Sequence, residues 1–334
     1  MSQKETVSPQ KLLEIGVGFQ RSKTLFALVE LKIPTLLKDQ PLALDDLAEK
    51  TKIHPLALDR LLNAAVALEL LQKRDDETFA NSETAARYLV EDTDNYLGEQ
   101  FLFYQENSYP NWQKLTEKLR EWQPGINDRQ ESDDEDQEAE TLFPQHNLAL
   151  LVGKQLARSF DFSRYENLLD VGGGTGAMSL GICAVHRDLH TTVWDLPAVL
   201  KKTARFVGES DLSDRVKTES GNFKEDRLPA GFDCVLLANL LSVASEETNR
   251  EFFKRIYDSL PTGGAVVISG WILDDSRTAP EIAVLFCLED VINQVPDVER
   301  TERVYRDWLE NAGFKDIRRE TYLAPYSFIV AVKN

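Results

Sequence analysis

Three short clusters in the second half of the chain have the residue types and spacing to hold a nucleotide-like ligand. The first is Asp170-Val171-Gly172-Gly173-Gly174-Thr175-Gly176. It follows Leu168-Leu169 and leads into a helical pattern, so it reads as a strand-to-helix turn. Glycines there allow positive φ and close approach of the backbone to a ligand. The helix that follows offers unpaired N–H groups. Asp170, Gly172, Gly174 and Gly176 are therefore candidate binding residues. The second cluster is Val193-Trp194-Asp195-Leu196-Pro197, where Asp195 ends a strand and can accept hydrogen bonds from ribose hydroxyls. The third is Ser220-Gly221-Asn222-Phe223, in which Asn222 can pair with an adenine edge and Phe223 can cover the ring. The turn alone does not choose its nucleotide, because Gly172-x-Gly174-x-x-Ala177 also satisfies the relaxed dinucleotide fingerprint.

The elements that must position these clusters are those of an α/β domain. Strand-like runs fall at Asn167–Asp170, Thr191–Trp194, Phe232–Leu237 and Ala265–Trp271, with helical patterns between them, which indicates a parallel sheet. The end of the chain alternates over 316–322 and 326–332 around Ala324-Pro325, a hairpin that closes the sheet with an antiparallel strand. That hairpin, the Asn222-Phe223 pair and the lack of a positive charge at the turn favour S-adenosylmethionine over a pyrophosphate-bearing dinucleotide. The domain is expected to span 161–334.

Two further regions precede it. Residues 1–95 read as mostly helical. Leu12, Leu13, Ile15, Phe19, Leu25, Phe26, Leu28 and Val29 share a helical period over 11–37. Two more helices, around 44–50 and 55–71, lead to a short hairpin near Asp75-Asp76-Glu77, which is the order of a winged helix. The second of them carries one Arg, Arg60, beside Asp59, and is apolar nearly all round. It suits a core or a subunit interface better than a DNA groove. Residues 96–160 read as an aromatic-rich helical linker with an acidic loop at 131–140. Its Tyr104, Asn107 and Tyr109 are candidate substrate contacts.

Composition narrows the partners. The chain has 334 residues and a net charge of -18, which argues against nucleic acid and anionic membranes. No apolar run reaches the roughly 18 residues of a membrane helix, and the polar start has no signal-peptide core. Cys183, Cys234 and Cys287 have no metal spacing, so no metal is expected. Buried thiols and a cytoplasmic location are the expectation.

With these residues in view, the chain resembles the small-molecule O-methyltransferases of the caffeate and acetylserotonin type. Bacterial members similar to the bacteriochlorophyll C20-methyltransferase belong with them. The resemblance runs through Leu25–Ile33, Asp161-Phe162-Ser163, Leu169–Gly176, Asp195-Leu196-Pro197, Gly221-Asn222-Phe223, Pro261–Gly264, Glu299-Arg300-Thr301 and Asn311–Phe314. It implies a Rossmann-like methyltransferase domain, an N-terminal dimerisation domain, a homodimer and S-adenosylmethionine as methyl donor. It also implies that Asn239 lies near the cofactor. At Asn222 the family usually has Asp.

The resemblance also exposes departures. The family's general-base His position is Ser242, within Leu241-Ser242-Val243-Ala244. One carboxylate that orients that His falls at Gly270, while the other is kept as Glu299. Serine is no base near pH 7 without an activating partner. An acidic hydroxyl or an activated carbon needs no such base, since base assistance is worth about 10²–10⁴-fold. His146, just before the cofactor domain, is a second catalytic candidate beside Glu299. Methyl transfer is the expected chemistry. A non-methylating reaction on the same fold and a winged-helix binding protein are the alternatives.

Overall fold

The computed structural model describes residues 8–123, 143–293 and 301–334. The acidic run 131–140 lies outside them. The chain divides into two compact units, residues 1–110 and 111–334. The region 96–160 is thus shared between the two.

In the first unit the expected long helix is three helices, Gln10–Gly16, Gly18–Glu30 and Ile33–Leu36. Lys32, at φ 55°, reverses the chain ahead of Pro34. A left-handed residue followed by proline cannot continue a helix. Helices Leu44–Thr51 and Pro55–Ala67 follow, then the antiparallel hairpin β1 (Leu71–Lys73) and β2 (Phe79–Asn81). Leu28, Ile33, Leu47, Leu58, Leu62 and Phe79 form their core. The apolar helix Pro55–Ala67 buries one face only, through Leu58, Leu62 and Ala65, spaced four and three residues apart. Leu56 stays 62% exposed.

The second unit is built on a seven-stranded sheet. Its strands are β3 (Asn167–Val171), β4 (His190–Asp195), β5 (Val216–Ser220), β6 (Cys234–Ala238), β7 (Ala265–Gly270), β8 (Lys315–Leu323) and β9 (Tyr326–Val332). The order is β5-β4-β3-β6-β7-β9-β8. The first five are parallel, and β9 and β8 close the sheet antiparallel, as the alternation at the chain end implied. Alternate residues feed two core layers. Leu169, Val171, Val235, Leu237, Val266 and Ile268 face one side, and Leu168, Cys234, Leu236 and Val267 the other. Strand order reverses between β3 and β6, which opens a crevice at the C-terminal strand ends.

β5 was not expected from the sequence. It is an edge strand in which only Val216 is buried, so it carries no apolar run. Helix His146–Ser159 lies tightly on helix Ala177–Val185, because a Cβ on Gly153 would come 2.6 Å from the Met178 carbonyl oxygen. Cys183 and Cys234 are buried free thiols. Among the described residues no helix is long and apolar enough to cross a membrane.

Candidate functional site

The Gly-rich turn leaves β3 at Val171 and enters helix Ala177–Val185. Gly172 donates its N–H to the Trp194 carbonyl at 2.8 Å, which ties the turn to β4. Gly172 has φ 63°, a backbone conformation that favours glycine, and a Cβ there would lie 2.5 Å from Leu240 Cδ1, so the Leu240 side chain would have to shift. Gly174 and Gly176 also have positive φ. Gly174 N–H donates to Asp195 Oδ2 at 2.9 Å, and the Leu196 N–H donates to Asp195 Oδ1 at 2.7 Å. Each oxygen of the Asp195 carboxylate thus holds one backbone donor and keeps further acceptor capacity.

Asp170 sits beneath the turn and is fully buried. Its Oδ2 accepts from Ser179 Oγ at 2.7 Å, while Oδ1 has no partner. Burial pushes this carboxyl up to about 7. Such an orphaned buried acceptor carries a desolvation cost unless a ligand or proton relieves it.

The third cluster follows β5. The Asn222 side-chain oxygen accepts from the Lys224 N–H at 3.0 Å, and the Asn222 N–H donates to Asp226 Oδ2 at 2.8 Å, closing a compact turn. Gly221 lies close against the Trp194 indole, where a Cβ would come 2.1 Å from Nε1. Phe223 is 8% exposed and packs edge-on against Phe252, with ring centroids 5.1 Å apart. Its side chain therefore belongs to the core, and the loop presents mainly backbone and the Asn222 amide.

Past β6 the chain turns at Asn239, φ 53°, whose N–H donates to the Ser269 carbonyl at 3.0 Å. A Cβ on Gly270 would lie 2.8 Å from Asn239 Oδ1. The Asn239 amide therefore occupies the space a side chain at 270 would use. Ser242 sits half-buried in the single 3₁₀ turn Leu241–Val243 and has no hydrogen-bond partner among the described residues. Beyond Gly270, the Trp271 ring meets Phe286 and Tyr326 edge-on, an aromatic surface at the same end of the sheet.

His146 begins helix His146–Ser159. Its Nδ1 is 2.8 Å from Thr175 Oγ1 in the Gly-rich turn, and its ring stacks on Phe206 at 3.9 Å. Burial lowers its pKa to about 4, so the ring is neutral at pH 7. Thr203, on the Phe206 helix (Pro197–Gly208), donates to the Gly174 carbonyl at 2.5 Å. The turn is thus held from three sides, by Asp195, Thr203 and His146. The sequence alone does not single out Thr203 or Phe206. Each is a common residue type on a helix, and only the fold aims it at the turn.

Tyr104, Asn107 and Tyr109 fall in the N-terminal unit. Tyr104 contacts Phe103. Exposed Asn107 donates to the Phe103 carbonyl at 3.1 Å, and Tyr109 meets Phe26 edge-on under Lys23. Glu299 lies outside the described residues. Among the described residues no cluster of His, Cys, Asp or Glu can hold a metal ion.

Residues 13–91 match the O-methyltransferase dimerisation domain and residues 124–315 the O-methyltransferase domain. The chain is 30% identical over 324 residues to 3-hydroxy-5-methyl-1-naphthoate 3-O-methyltransferase of Streptomyces sahachiroi, covering 95% of this chain and 92% of that protein. It is also 30% identical over 335 residues to the N,N-dimethyltransferase OxyT of Streptomyces rimosus, covering 97% and 96%. Its fold is similar to human N-acetylserotonin methyltransferase in complex with SAM, with a TM-score of 0.84, 24% identity and full coverage of both chains.

Proposed function

The chain belongs to the O-methyltransferase family and is an S-adenosylmethionine-dependent methyltransferase with a small-molecule acceptor; from that premise we propose that its acceptor loses its proton, or is activated, without a histidine base at position 242. The observation that carries this reading is the Asn239–Gly270 contact. By the family resemblance, a base at 242 and a carboxylate at 270 would form a pair. Here Ser242 has no activating partner among the described residues, and the Asn239 amide fills the place of the carboxylate.

The cradle fits the methyl donor. Gly172, Gly174 and Gly176 would hold its amino-acid part, with Asp170 buried beneath them as a support of the turn. Asp195 would take the ribose hydroxyls through its open acceptor sites. The Asn222–Phe223 loop would take the adenine edge through the Asn222 amide, and Asn239 would border the transferred methyl. When bound, S-adenosylmethionine supplies an electrophilic methyl group. The chain's own contribution is then orientation of an in-line displacement. His146 serves the turn in this reading. Its Nδ1 is engaged by Thr175, and a pKa near 4 makes it a poor base at pH 7.

Trp271 and Phe286 favour a flat aromatic acceptor with an acidic hydroxyl. The test is methyl-label transfer to a panel of phenols and naphthols of graded acidity. Rates are expected to fall steeply toward acceptors ionising near pH 10, with pH profiles that follow the acceptor. Equal rates across the panel, governed by a protein pKa, overturn the proposal.

The N-terminal unit further supports a homodimer. Leu12, Leu13, Ile15 and Phe19 are 73%, 64%, 65% and 54% exposed along one short stretch, an apolar surface that water disfavours. Sedimentation is expected to give a dimer at micromolar concentration, and a stable monomer refutes it.

A further inference from the structure

Resting on the site reading above, the geometry points to helix Glu246–Ser259 as a brace that separately positions the cofactor loop and the Ser242 turn, through Arg255 and Asn249. The helix is a firm support. Ser245 caps it by accepting from the Thr248 N–H, and Glu246 and Glu247 fill its first turn. Phe252, Phe253 and Ile256 are fully buried in the core.

At one end, Asn249 is fully buried, and its Nδ2 donates to the Leu241 carbonyl at 2.8 Å and to the Ala244 carbonyl at 3.4 Å. Those two carbonyls bracket Ser242. Asn249 Oδ1 has no partner, so the amide is held in the core for what its nitrogen does. At the other end, the Arg255 guanidinium donates to the carbonyls of Phe223 and Asp226, with Lys224 at 3.5 Å, and lies over the Phe252 ring. These carbonyls belong to the turn that Asn222 closes from within. A planar fork of donors can span them, whereas a lysine ammonium cannot reproduce the fork.

Six residues of helix, about 9 Å, separate the two braces. In-line transfer depends on the donor and acceptor sides being held to within about 1 Å. Arg255 and Asn249 touch neither partner of the reaction and act through loop backbone, so they are positioning residues.

The full-length protein tests this by calorimetry and kinetics. Arg255→Gln is expected to weaken S-adenosylhomocysteine about tenfold. It should weaken 5′-methylthioadenosine, which keeps the adenosine and lacks the amino acid, by the same factor. Its kcat at saturating donor, with the fastest acceptor of the panel, should stay within about twofold. Arg255→Lys should recover part of the affinity. Asn249→Ser is expected to do the reverse, lowering kcat about tenfold with donor affinity unchanged. Wild-type protein that binds none of these adenosyl ligands overturns the site reading itself. Wild-type binding with an unmoved Arg255→Gln and Arg255→Lys overturns the brace. So does an equal loss of affinity and kcat in both single variants alongside a lowered melting temperature, because that marks a merely structural helix.

Discussion

The crevice at the strand ends is built differently on its two sides. On the β3–β4 side the contacts are made by backbone: positive-φ glycines, the Gly172 N–H on the Trp194 carbonyl, and the Gly174 and Leu196 N–H groups on Asp195. On the β6–β7 side the surfaces are side chains: the Asn239 amide, Ser242, and Trp271 against Phe286. A backbone-built half tolerates little substitution, because the chain path itself forms that side of the crevice. A side-chain-built half can change chemistry while the fold stays the same.

The sharpest way to break the comparison is Gly172→Val. Both φ and the Leu240 contact oppose any side chain there, and a branched one is the worst case. S-adenosylhomocysteine binding is expected to fall by more than about 100-fold. Calorimetry reads this directly, and near-normal affinity would mean that the turn is not the cofactor's cradle.

The next test attempts to convert the other half. Ser242→His with Gly270→Asp is expected to fail while Asn239 fills the space, and to succeed when Asn239→Gly clears it. Glycine suits φ 53° at that position. The triple variant should accelerate methylation of weakly acidic phenols by about 10- to 100-fold over the double variant. Equal rates for the double and triple variants would show that Asn239 is not what excludes the pair.

Asp170 offers a smaller, pH-dependent handle on the backbone-built side. Burial raises its carboxyl from 3.8 to about 7. The folded state therefore keeps a proton that the unfolded chain has released, and stability from this group is present below pH 4 and lost as pH rises through 7. Asp170→Asn should melt higher than the wild type at pH 8 and lose that advantage toward pH 4. Parallel melting curves at both pH values would contradict the buried, orphaned carboxyl.

His146 gives the smallest effect and the opposite slope. Its pKa falls from 6.5 to about 4. Its contribution is complete above pH 6.5 and is lost as pH falls through 4. His146→Gln should lower stability and donor affinity modestly at pH 7 and flatten the acid limb of the stability profile. Urea titrations at several pH values measure both.

The parts of this molecule legible in advance are local. The Gly-rich turn, the Asp195 strand end and the closing hairpin each announce themselves within a few residues, through glycine content, strand-end position or alternation. β5 left no such trace, since an edge strand with one buried residue has no pattern to read. Phe223 was legible as an aromatic beside the loop, but its ring turned into the core, because burial against Phe252 competes with any role at the surface.

The sequence by itself determined the Gly-rich strand-to-helix turn, because φ preferences and strand-to-helix turns are properties of neighbouring residues. Only the tertiary structure decided how that turn is held and what faces it. His146 meets Thr175 across 29 positions, Arg255 reaches carbonyls about 30 positions away, and Asn239 fills the room at Gly270. Backbone carbonyls are present at every residue, and empty space belongs to none. Contacts made with either carry no residue code and exist only once the chain has folded.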